Sequence, residues 1–129
     1  MGTSALGSIS ELSQFIETGE FRYAAQHVNQ VDGKSGGSRW FQWLIRPRLD
    51  NPSATTEDFI QAVESTDLAM DLDMRVIEDA LRWLDRQPSN TRLTINVSSG
   101  SFANRLFPSH VSLLINDSKI GRASCRERV

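Results

Sequence analysis

One cysteine, Cys125, is too few for an intrachain disulfide, and it suits a reducing, cytoplasmic setting. Basic residues are not in excess either. Fourteen Lys and Arg stand against 16 Asp and Glu, a net charge of -2, which removes the electrostatic case for DNA or RNA as a partner. No apolar run approaches the roughly 18 residues that span a bilayer. The opening Met1-Gly2-Thr3-Ser4-Ala5 lacks the basic and apolar regions of a secretory signal, and Leu6 stands where a myristoylation signal needs Ser or Thr. His27 and His110 have no partners at metal-ligand spacing, and Gly33-Lys34-Ser35 lacks the earlier glycine of a phosphate-cradling loop. There is no internal repeat and no low-complexity segment. What remains is ordinary for a globular α/β chain: 39% hydrophobic and 23% charged residues over 129 positions, enough for one domain at most, or for a piece of a larger one.

Two apolar strand-like runs carry polar residues towards their C-terminal ends, Trp40-Phe41-Gln42-Trp43-Leu44-Ile45-Arg46 and Leu93-Thr94-Ile95-Asn96-Val97-Ser98. About forty-five residues of helical character separate them. Strand, crossover and strand make the unit of a parallel sheet, whose ligand chemistry gathers beyond the strands' C-terminal ends. A site is therefore expected near Gln42, Arg46, Asn96 and Ser98. Ahead of these runs, Ser8-x-x-Glu11 is a capping box and predicts a helix over 9–18, closed by Gly19. Phe21 to Val28 reads as a strand. The Asp32–Ser38 turn is too short for a parallel crossover, so the first two strands are expected to be antiparallel. Thr55-x-x-Asp58 opens a helix with Phe59, Ile60 and Val63 inward. Leu72, Val76, Ile77, Ala80, Leu81 and Leu84 then form one helical stripe. Gln87 to Asn90 stops it, Arg92 to Ser98 is the third strand, and Ser99 to Phe107 starts a helix interrupted at Pro108.

The last ten residues, Ile120 to Val129, read as an in-frame translation of a common sequencing adapter, which the codons ATC GGA AGA GCG TCG TGT AGG GAA AGA GTG would encode. The domain is accordingly expected over 1–118, with 119–129 a non-native tail that takes no part in the evolved core. A natural basic tail for an acidic partner is the alternative. Without those ten residues, 11 Lys and Arg face 15 Asp and Glu.

In order along the chain, Gln26-His27-Val28, Gln42-Trp43-Leu44-Ile45-Arg46, Phe59 to Leu68, Leu72-Asp73-Met74-Arg75-Val76-Ile77 and Asn96-Val97-Ser98 resemble the motifs of the first half of an EAL domain, the bacterial cyclic di-GMP phosphodiesterase family. The resemblance implies the N-terminal part of an EAL-type (β/α)8 barrel with an antiparallel first strand, truncated after about three strands. A complete barrel takes about 250 residues. It also implies cyclic di-GMP as ligand, met by Gln26, Leu44, Ile45, Arg46 and Asp73, and a pair of Mg²⁺ or Mn²⁺ ions that lower the pKa of the attacking water.

Gln42 stands where the family has a metal-binding Glu, and Asn96 matches the family's amide ligand. Neutral amides do not balance two divalent charges, so the metal site is expected to be vestigial and no residue is assigned a catalytic role. The resulting expectation is a degenerate cyclic di-GMP-binding domain with little or no hydrolysis. A fragment of an active phosphodiesterase and a protein-interaction scaffold without nucleotide are the alternatives, and a protein partner or a homodimer of the parent is a further expectation. Outside the resemblance, the same residues have plainer readings: Arg46 solvated or paired with Asp58, Asn96 satisfying backbone groups, Asp73 a helix N-cap, and Trp40, Trp43 and Trp83 filling the core.

Overall fold

The computed structural model describes residues 8–28, 37–49, 53–118 and 123–127. The first helix, α1 (Ile9–Thr18), opens on the expected capping box. The Ser8 hydroxyl accepts from the Glu11 amide, and the Glu11 carboxylate accepts from the Ser8 amide. Its amphipathic spacing buries Leu12 and Ile16. Gly19 ends it in an extended conformation. The need for glycine here is close approach, since a Cβ would sit 1.9 Å from the Phe15 ring and 2.4 Å from the Phe15 carbonyl oxygen.

Two strands follow, β1 (Phe21–Val28) and β2 (Arg39–Pro47), paired antiparallel from Phe21 opposite Pro47 to Val28 opposite Trp40. That is the sense their short connection requires. The Thr55–Asp58 capping box starts α2 (Thr56–Glu64), which buries Phe59 and Val63. All six residues of the predicted stripe are buried on α3 (Ala69–Asp85). The crossover ends in β3 (Thr91–Val97), parallel to β2. Next come α4 (Ser99–Ala103) and α5 (Phe107–Ser118). Pro108 does not interrupt a helix. It lies in the first turn of α5, where its missing N–H leaves no helical bond unmade.

Three strands were expected, and the sheet has four, in the order β1-β2-β3-β4. The fourth, β4 (Ala123–Glu127), lies within the adapter-like tail and pairs parallel with β3 from Leu93 opposite Ala123 to Val97 opposite Glu127. The β3 edge, which would otherwise present unpaired backbone groups, is thus covered by β4. The Asp32–Gly36 part of the turn, with Gly33-Lys34-Ser35, and residues 1–7, 119–122 and 128–129 lie outside the described residues. Among the described residues no helix is long and apolar enough to cross a membrane.

The helices cover one face of the sheet. Side chains from α1, α2 and α3 join Trp43, Ile45, Leu93, Ile95 and Val97 in a single buried cluster, with Phe21, Tyr23, Ala25 and Phe41 packed against it. Because strand side chains alternate, the opposite face carries Arg22, Ala24, Gln26 and Val28 of β1, Trp40, Gln42, Leu44 and Arg46 of β2, and Arg92, Thr94 and Asn96 of β3.

Candidate functional site

That second face collects most of the residues predicted for the site. Register sets Gln26 opposite Gln42 and Gln42 beside Thr94, so three hydrogen-bonding side chains form a row across β1, β2 and β3. One step towards the C-terminal end of β2, Ala24 faces Leu44. One step further, Arg22 faces Arg46. Gln26, Arg22 and Arg46 are exposed, while Gln42, Leu44 and Asn96 are half-buried. Arg46 donates from Nη1 to the Ile45 carbonyl at 2.8 Å. It is not paired with Asp58, whose carboxylate accepts from the Thr55 amide at 3.0 Å in the capping box.

Two predicted residues lie elsewhere. The Ile45 side chain is only 9% exposed, inside the helix-covered core, because it is one residue out of phase with Leu44 and Arg46. Asp73 is 1% exposed. It is not an N-cap, since α3 begins at Ala69 and the cap position is Leu68. Its Oδ2 instead accepts from the Ser98 amide at 2.8 Å and from the Ser101 hydroxyl at 2.7 Å. The Ser98 hydroxyl in turn caps α4 by accepting from the Ser101 amide at 3.1 Å. Asp73 therefore fixes the chain where it leaves β3, just beyond Asn96, and does not reach the open face.

Trp43 and Trp83 pack on the helix side, where Tyr23 stacks on Trp43 at 4.6 Å between ring centroids. The bulk following Gln42 is thus taken up by the core layer, whereas Trp40 is not in the core and lies half-buried on the open face. Among the described residues no three or more His, Cys, Asp or Glu side chains converge as a metal site.

Sequence reasoning passed over Arg22. The available signal was register: once Gln26 is set opposite Gln42, counting back along β1 and forward along β2 brings Arg22 and Arg46 together. It also missed the Glu20–Arg48 ion pair at 3.2 Å, next to that row.

The family model described as the EAL domain matches residues 9–125. Among solved structures, a FimX EAL domain superposes with a TM-score of 0.81 at 20% identity, over 92% of this chain and 50% of that one. The FimX EAL domain from Pseudomonas aeruginosa bound to c-di-GMP gives 0.77 at 23% identity, over 92% and 49%. The PaMucR phosphodiesterase in complex with c-di-GMP gives 0.66 at 17% identity, over 89% and 50%. The chain spans about half the length of these structures. No curated protein matches it.

Proposed function

We propose, on the premise that this chain belongs to the EAL domain family, that it carries the nucleotide-recognising strands of a cyclic di-GMP receptor domain that binds without efficient hydrolysis. The observation that carries this reading is the shared open face, with Gln26, Gln42 and Leu44 leading to Arg46 at the C-terminal end of β2. A planar guanidinium there suits a phosphate oxygen or a guanine edge, and the amides above Leu44 offer donors and acceptors to a base.

The donor set on this face does not fit a pair of divalent cations. Gln42 and Asn96 each bring one neutral carbonyl oxygen, whereas hard cations favour carboxylates. The buried carboxylate of Asp73 is committed to Ser98 and Ser101. No hydrolytic step is assigned to these residues. On the same reading, residues 1–118 belong to the domain and 119–129 are of foreign origin, β4 being held through its backbone.

Calorimetric titration of the 129-residue chain with cyclic di-GMP tests binding. Arg46→Ala should weaken it about tenfold to hundredfold, as loss of a hydrogen bond to a charged group does. Equal affinities would remove Arg46 from the site. Linear dinucleotide formed with Mn²⁺ above a protein-free control would replace this reading with an active phosphodiesterase. Absence of any binding would favour an interaction scaffold.

A further inference from the structure

We propose that Arg22 joins Arg46 in a two-guanidinium clamp for one phosphodiester group of the nucleotide. The inference rests on the cyclic di-GMP reading and adds a residue to it. Arg22 and Arg46 are direct Cα partners in an antiparallel pair, so their side chains leave the same face with Cβ atoms about 4.5–5.5 Å apart. Both are exposed. Like charges placed directly opposite one another destabilise a sheet, and among the described residues neither has a carboxylate partner. The nearest carboxylate along the strand, Glu20, is engaged by Arg48 at 3.2 Å. The row therefore holds two uncompensated positive charges at the end of the sheet where parallel strands gather their ligands.

An anion placed between the two forks removes the repulsion and gains charge-assisted, geometrically matched hydrogen bonds. The next row inward, Ala24 and Leu44, is apolar, and the row beyond it, Gln26 and Gln42, is neutral and hydrogen-bonding. A ligand following this order has an anionic group, then an apolar surface, then polar edges. A nucleotide phosphodiester with its base fits that order; free phosphate uses only the first row.

The test is titration of the full chain with cyclic di-GMP and, separately, with inorganic phosphate, using Arg22→Gln, Arg22→Lys and Arg46→Gln. Calorimetry and the arginine side-chain NMR signals are the readouts. Arg22→Gln should lose about tenfold to hundredfold in affinity for the dinucleotide, and Arg22→Lys less. Unliganded Arg22→Gln should melt at the same temperature as the parent chain or higher, because a repulsion has been removed; a purely structural arginine would lower it. Wild-type affinity in Arg22→Gln, with binding weakened in Arg46→Gln, overturns the clamp and leaves the receptor reading standing. If cyclic di-GMP does not bind but phosphate still shifts both arginine signals, the receptor reading falls and the pair stands as a phosphate site. If neither probe moves either arginine, both are overturned.

Discussion

Tyr23 is the chain's single tyrosine, and its phenol donates to Asp79 Oδ2 at 2.5 Å across from β1 to α3. Burial first, then this bond and the Asp79 charge, push its pKa well above the ordinary 10.0, against the smaller opposing pull of Arg75 and Arg82. Because the folded-state value is raised, the stabilisation it represents is complete below about pH 10 and is lost as pH climbs from there towards the folded value. Ultraviolet phenolate absorbance, which reports this one side chain, should therefore stay silent through pH 10 and rise only with unfolding; an ordinary titration at pH 10 would contradict the buried bond. Asp73 gives a second expectation. Asp73→Ala strands the Ser98 amide inside the protein, at about 1–3 kcal/mol for a buried group left unsatisfied, and leaves the Ser101 hydroxyl with the Ser98 hydroxyl alone; urea unfolding should record the loss. Periodicity could place Asp73 on the buried side of a helix, but a carboxylate bonded to residues 25 and 28 positions away leaves no local mark. The same holds for Ile45: its motif position suggested a ligand contact, whereas strand alternation assigns its side chain to the core.

The α1–β1 corner owes its shape to Gly19 and to Arg75. Arg75 donates to the carbonyls of Ile16 at 2.8 Å and Gly19 at 3.0 Å, pairs with Asp79 at 3.0 Å, and lies 4.5 Å from the centroid of the Phe21 ring. A side chain from α3 thereby satisfies the orphan carbonyls at the end of α1, which has no basic residue in its own last turn. Gly19→Ala should cost about 1–3 kcal/mol through overpacking against Phe15, and Thr55→Ala about 0.5–2 kcal/mol through loss of the α2 cap. Thermal melts of both variants check the two figures, and an unchanged Gly19→Ala melt would mean that the corner opens freely. The starts of α1 and α2 and the α3 stripe were legible because their causes lie within a few residues of one another. The Arg75 bridge was not, because it joins residues more than fifty positions apart. The turn at Pro108 was misread because proline both stops helices and starts them, and its side of the boundary is fixed by what packs next.

The antiparallel entry strand and the parallel crossover were both legible from connection length, and the family's motifs gave the half-barrel. The fourth strand was not legible, since its pairing with β3 is made by backbone groups that leave no side-chain pattern to read. With β3 paired to β4, removing residues 120–129 should bare the β3 edge and increase self-association, as size exclusion with light scattering of both lengths would show. Equal monomer peaks would mean that β4 does not protect that edge. The sheet also has the property that its strands lie side by side in the order in which they occur in sequence. A chain leaving the ribosome from its N-terminus can therefore add each strand to one already in place. β1 and β2 need only each other, and β3 needs only the helices and strand made before it. An unfinished product of this architecture keeps every pairing it has formed, with no place held open between strands for a segment not yet made, so growth and arrest both leave a sheet with a single advancing edge.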